Sequence, residues 1–307
     1  MLSFKRLNRL AYLRAAMGML LLFISVSLKA EEVTQQYGDL TINANLELAD
    51  GKVLQDGVVL ILHGTMAHNR MEIIEASQQA LLDNDHSSLA INLSLRLDNR
   101  HGFYDCSLPH RHIMDAALDE LDAWVAWLRK KGVNQITIMA HSRGANQIMV
   151  YAVERKHPEV THLVLLAPNT NPSPKPQYVA RYGETFDESL ALVQKQIDTG
   201  KGDELIDNLD FAYCPKASVS ADSFYSYNRL DDKFRRFPLY LSQMPIPTLI
   251  ITGSRDELVP DIAKDVAPFI DGERIRLSVI EGSGHFFLDF NIEEAVEASV
   301  EFIAESG

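Results

Sequence analysis

Three residues far apart in the chain are of the types that cleave acyl bonds together: Ser142, Asp256 and His285. A serine hydroxyl is a weak nucleophile until an imidazole takes its proton, and the imidazole needs a carboxylate to fix its tautomer and steady its charge. Ser142 stands in Ala140-His141-Ser142-Arg143-Gly144, straight after an apolar run and straight before a helical pattern. A serine on so sharp a strand-to-helix turn needs small residues two places to either side, where a larger Cβ would meet the backbone folding back. Ala140 and Gly144 meet that need. The five-residue pattern also suits an ordinary serine helix cap, but here the partners follow in the order serine, acid, histidine. Asp256 lies in Thr252-Gly253-Ser254-Arg255-Asp256-Glu257-Leu258-Val259-Pro260, and His285 in Glu281-Gly282-Ser283-Gly284-His285-Phe286. Glu257 is the adjacent alternative acid; Asp271 and Asp289 flank the last strand at the wrong ends.

The elements that must position these residues alternate. Val58–Leu62 is a continuous apolar run ending at His63-Gly64, as a strand buried on both faces reads. A helical pattern near 70–82 and a second strand over 88–93 follow. Residues 113–131 place Ile113, Ala116, Ala117, Leu121, Trp124 and Leu128 at helical spacing, with basic residues in the last turn. Strands at 135–140, 163–167, 248–252 and 275–280, and helices at 144–156 and 292–303, complete the rhythm. This pattern predicts an α/β fold, a doubly wound, mostly parallel sheet of about eight strands. Antiparallel edge strands are expected before it, near 40–48. The rhythm stops from about 170 to 245, where Pro172, Pro174 and Pro176 open a segment rich in aromatic residues with a helix at 188–197. That segment reads as an inserted cap over the sheet's carboxyl edge.

At this point the sequence resembles the alpha/beta-hydrolase superfamily in its serine-nucleophile branch, over about residues 40 to 305. The resemblance rests on the Ser142 elbow, Asp256 before Val259-Pro260, His285 after Gly284, and His63-Gly64 upstream. It is nearest to carboxylesterase and monoacylglycerol-lipase-like enzymes, with Ser142-Arg143-Gly144 also similar to chlorophyllase-like and dienelactone-hydrolase-like relatives. The resemblance implies an acyl-enzyme on Ser142, His285 as base and then acid, and Asp256 orienting it. It further implies an oxyanion hole from the backbone amides of Thr65 and Arg143, with Met66 as the alternative to Thr65. Two such amides contribute about 3–4 kcal/mol each where water is excluded. His63 and His141 read as structural. No metal or organic cofactor is expected, and the partner is a small-molecule acyl substrate. Ester, peptide and thioester bonds remain open, as does a binding module that keeps a residual triad.

Composition narrows the classes further. The 307 residues carry 29 basic and 42 acidic side chains, a net charge of −13, with no basic block that would track phosphates, which argues against nucleic acid. Residues 1–30 read as a secretory signal peptide: Lys5, Arg6, Arg9 and Arg14 precede a 14-residue uncharged apolar run, Ala15 to Leu28. That run is short for a membrane span, which needs about 20 residues. A periplasmic or secreted protein is expected, with an uncleaved membrane anchor as the alternative. In an oxidising compartment Cys106 and Cys214 could bridge; otherwise they are two buried thiols. His101, His110 and His112, with Arg96, Arg100 and Arg111, form a cluster after the second buried strand. Half a metal site is conceivable in His110-x-His112, but no further ligand sits at the right spacing. A solvated basic loop, placed to meet an anionic group of a substrate, is the expectation.

Overall fold

The computed structural model describes residues 30–306, so the expected signal peptide lies outside the described residues save for Ala30. The strands are β1 (Glu31–Tyr37), β2 (Leu40–Glu47), β3 (Val58–Leu62), β4 (Ser88–Ile91), β5 (Ile136–His141), β6 (Val160–Leu166), β7 (Leu205–Phe211), β8 (Cys214–Ser220), β9 (Thr248–Gly253) and β10 (Ile275–Ile280). Eight of them form one sheet in the order β1-β2-β4-β3-β5-β6-β9-β10. β2 runs antiparallel to β1 and β4, and every other pair is parallel. The central strands β3 and β5 are buried at every residue, which is why they read as unbroken apolar runs rather than alternations.

Three helices follow the strands they serve: α1 (Glu72–Asp83), α2 (Ala116–Lys130) and α3 (Arg143–Arg155). α2 starts three residues later than its apolar spacing suggests. Met114 gives its backbone N–H to Ser226 Oγ at 3.2 Å, and Ile113 turns outward, 41% exposed. Between β6 and β9 lie α4 (Lys175–Tyr182), α5 (Phe186–Asp198), the β7–β8 hairpin, α6 (Ala221–Asn228) and α7 (Phe237–Ser242). The chain closes with α8 (Ile262–Val266) and α9 (Asn291–Ser306), the latter packed against α1.

The inserted segment differs from expectation in holding a hairpin as well as helices. Its strands have slipped register and left-handed residues at Asn208, Ala212 and Lys216. These irregularities break the period-two alternation by which a strand is recognised. The segment after β4 corrects a second expectation. Arg100, His110 and His112 are 5%, 1% and 0% exposed, so this is no solvated basic loop. His110 pairs with β8, donating its N–H to Ser218 O at 2.8 Å and accepting from Ser220 N at 2.9 Å. Cys106 and Cys214 are joined in a disulfide, tying the same segment to the hairpin at a second point. Among the described residues no group of histidines, cysteines and carboxylates could hold a metal, and no helix is long and apolar enough to cross a membrane.

Candidate active site

The parallel strands end together, Leu62 beside Ala140 and His141 beside Leu166, and the residues just past those ends face one another. Ser142 takes φ 55° and ψ −124°, a conformation that a non-glycine residue adopts only when its surroundings impose it. The imposition is visible two residues on. A Cβ on Gly144 would stand 2.4 Å from the carbonyl oxygen of His63, so only glycine lets α3 start this close to the end of β3. Gly253 plays the same part at the end of β9, where a Cβ would lie 2.3 Å from Ser283 O. That close approach brings the Asp256 loop against the His285 loop.

The geometry among the three residues is a single line. Ser142 Oγ lies 3.0 Å from His285 Nε2, and His285 Nδ1 lies 2.7 Å from Asp256 Oδ2. Asp256 Oδ1 accepts the backbone N–H groups of Leu258 (2.9 Å) and Val259 (2.8 Å). Burial alone would raise the Asp256 carboxyl, but the His285 bond and these amides outweigh it and hold the group below the usual carboxylate range. The carboxylate can then only accept, so the His285 proton sits on Nδ1 and its Nε2 lone pair faces the serine hydroxyl. The competing acids are elsewhere. Glu257 is exposed, and Asp271 Oδ1 caps the amides of Glu273, Arg274 and Ile275.

Two further histidines hold the frame. His141 donates from Nε2 to the His285 carbonyl at 2.9 Å, joining the elbow to the histidine loop, and burial pushes it down to about 3, so it is neutral. His63 is tied on both sides. Leu93 N–H donates to its Nε2 at 3.1 Å, so its proton lies on Nδ1, which donates to Gly64 O at 2.8 Å. In a planar trans peptide the C=O and the next N–H point in opposite directions. Anchoring Gly64 O therefore turns the Thr65 N–H away from His63. The Arg143 N–H, first in α3, has no acceptor within the helix. Arg143 also links the two loops by side chain, its Nε donating to Thr65 Oγ1 at 2.9 Å.

Behind His63 stands Arg100, whose importance no sequence pattern marks. Its Nε donates to Leu93 O (2.8 Å), Nη1 to Gly102 O (2.6 Å), and Nη2 to Ala67 O (2.9 Å) and Asn92 Oδ1 (2.6 Å), with His63 Nε2 at 3.2 Å. Burial lowers the guanidinium to about 10, which leaves it charged near neutrality. Burial, and then the Arg100 charge, push His63 down to about 3.

The protein is similar in fold to several solved structures. One is Est1E from Butyrivibrio proteoclasticus, at 19% identity and TM-score 0.60, over 91% of this chain and 99% of that one. A second is the alpha/beta hydrolase GrgF from Penicillium sp. sh18, at 15% identity and TM-score 0.62, over 91% and 99%. A third is the monoacylglycerol lipase of Paleococcus ferrophilus, at 16% identity and TM-score 0.58, over 87% and 99%. No curated protein matches. A family model described as "Protein of unknown function (DUF1749)" matches residues 113–267, just over half of the chain. The chain belongs to this family, and its fold is that of the alpha/beta hydrolases.

Two cavities meet at Ser142. One, about 560 Å³, is walled by Met66, Met71, Phe103, Tyr104, Phe286 and the Cys106–Cys214 bridge. The other, about 610 Å³, is bordered by Arg143, Asn169, Asn171, Gln177, Arg181 and Glu257. The inserted segment supplies one wall of each, through Arg181 and Tyr213.

Proposed function

We propose that the protein is an exported serine hydrolase that cleaves a carboxylic ester of a small molecule through an acyl-enzyme on Ser142. The observation that carries this reading is the unbroken relay from Ser142 Oγ through His285 to Asp256, at 3.0 and 2.7 Å. As Ser142 Oγ attacks the ester carbonyl, His285 Nε2 takes its proton, and the buried Asp256 carboxylate stabilises the imidazolium. The Thr65 and Arg143 amides receive the oxyanion. His285 then protonates the departing alkoxide, the acyl group stays on Ser142, and a water activated by the same imidazole releases it as the acid. Each transfer uses His285 once as base and once as acid, so protons balance over the cycle.

Esterases and lipases among the similar folds favour an ester as the bond. Export is supported by the charge and apolar pattern of residues 1–30 and by the Cys106–Cys214 bridge, since disulfides persist in oxidising compartments. Treatment with a fluorophosphonate probe, alongside a panel of 4-nitrophenyl acyl esters, tests the reading. Wild type is expected to label and turn over, while Ser142→Ala and His285→Ala each lose several orders of magnitude. The double variant should be little worse than either, because the triad acts as a unit. Substantial turnover by folded Ser142→Ala would remove the nucleophile assignment, and silence of the wild type with probe and esters alike would favour a binding module.

A further inference from the structure

The charges around the second cavity run against those of the whole chain. The protein carries 13 more acidic than basic residues, yet the cleft of about 610 Å³ beside Ser142 is bordered by two guanidinium groups, Arg143 and Arg181. Among the described residues no carboxylate oxygen comes within ion-pair distance of either. Their positions are set by other means. Arg143 is held by Thr65 Oγ1 and lies over the Tyr227 ring at 5.0 Å. Arg181 donates from Nη1 to Ala212 O at 2.6 Å and stacks over Tyr213 at 4.4 Å. A cation pre-placed on an aromatic face keeps its outward N–H donors for a ligand.

Behind Arg143 lies a third arginine. Arg235 is 7% exposed, and its Nε has no hydrogen-bond partner. Burial, and then the charge of Arg143, lower its guanidinium to about 9. Three acidic groups bear on this region, one of them Asp256, which is taken up by His285 and two backbone amides. Glu257 is an exposed residue bordering the cleft, and Asp232 is buried, with its Oδ1 accepting from Phe234 N. The lining of the cleft itself carries two guanidinium groups and one carboxylate, the exposed Glu257, a positive balance inside an acidic protein that draws anions to the site. The other cavity has methionine, aromatic and disulfide walls; Arg181 stands on the border that the two cavities share, while Arg143 lines the polar one alone.

We propose that the substrate is an ester of two unlike halves, one apolar and seated against Met66, Met71 and Phe286, the other bearing a carboxylate that Arg143 and Arg181 receive. This rests on the hydrolase reading for its chemistry, although the binding it asserts can be measured without turnover. Bidentate pairing suits a carboxylate, and phosphate shares the same chemistry, so both appear among the probes.

The test compares anionic and neutral partners on each side of the ester. On the acyl side these are mono-4-nitrophenyl suberate and its methyl-capped diester. On the alcohol side they are 4-acetoxybenzoate, its methyl ester and 4-acetoxyphenyl phosphate. In at least one series the carboxylate is expected to exceed its neutral partner by about tenfold or more in kcat/KM, chiefly through KM. That preference should shrink as salt rises from about 50 to 500 mM, because an exposed cation such as Arg181 is screened. Arg181→Gln should lower the anionic-to-neutral ratio about tenfold, and Arg181→Glu should invert it. Calorimetric binding of the same compounds to Ser142→Ala gives the ranking without catalysis, so an inactive wild type would count against the hydrolase reading alone. Neutral partners bound or cleaved as well as the anions in both series would overturn the proposal, as would an unchanged ratio in folded Arg181→Glu. A phosphate preferred tenfold over the carboxylate would overturn the choice of carboxylate.

Discussion

The segment from Leu93 to His112 feeds two buried polar clusters that are built in opposite ways. On the core side, all three nitrogens of the Arg100 guanidinium have acceptors, and the cluster ends on His63 and the Gly64 carbonyl. On the cap side, His110 Nδ1 meets Ser223 Oγ at 2.7 Å and His112 Nδ1 meets Tyr227 Oη at 2.9 Å, but both Nε2 atoms are buried without a partner. A saturated cluster has one arrangement and transmits position; an unsaturated one carries a desolvation penalty and transmits little. The first braces the loop that carries Thr65. The second marks the seam between cap and core, where the disulfide and the pairing of His110 with β8 provide the connection.

The largest expected effect comes from breaking the brace. Arg100→Met leaves the buried Leu93 and Ala67 carbonyls and that of Gly102 without this donor and removes the guanidinium beside His63 Nε2, and is expected to destabilise the fold by about 3–5 kcal/mol. Turnover of an ester that wild type cleaves should fall by about 10²-fold in kcat with little change in KM if the Thr65 amide is the oxyanion donor proposed above, since such a donor acts in the transition state. Circular dichroism and urea unfolding check the first, steady-state kinetics the second; unchanged kcat in a folded variant would detach Arg100 from the loop. Removing the tether across the seam ranks next. Closing a loop of 108 residues restricts the unfolded chain by about 4 kcal/mol, so Cys106→Ser should lower stability by up to that amount under oxidising conditions and hardly at all in reductant. Thiol counting in denaturant without reductant is expected to find none in wild type.

Acid should probe both clusters together. Burial, its largest cause, lowers His63, His110 and His141 to about 3, well below the 6.5 they have when unfolded. Between those values the unfolded chain binds more protons than the folded one, so the stability they contribute is complete above pH 6.5 and falls as the pH drops towards 3. Each histidine contributes a slope of up to about 1.4 kcal/mol per pH unit. Urea unfolding from pH 7 to pH 5 should show stability falling with acid, and a flat profile would contradict the neutral assignments. The smallest effect is expected at the seam itself. His112→Phe with Tyr227→Phe removes both partners of one bond and one unpartnered Nε2, and should stay within about 1 kcal/mol of wild type. His112→Phe alone, which strands the Tyr227 hydroxyl, should be the less stable of the two.

Much of this molecule is set locally and was legible in residue order. Apolar runs such as Val58–Leu62 can be satisfied only as buried strands. Small residues around Ser142 permit a turn that larger ones forbid, and an acid and a histidine past two later strand ends land on the same edge because parallel strands all finish there. The hairpin within the insertion was hidden, since its register slips and left-handed residues erase the alternation. What only the tertiary structure decided is which polar residues were taken out of water. Arg96 and Arg100 are alike as neighbours in sequence, yet Arg96 is exposed and Arg100 lies buried under the loop that carries Thr65. Residue type sets what a guanidinium can donate, but the path of the loop sets which carbonyls surround it, and that path depends on contacts with β3, β4 and the cap that are distant in sequence.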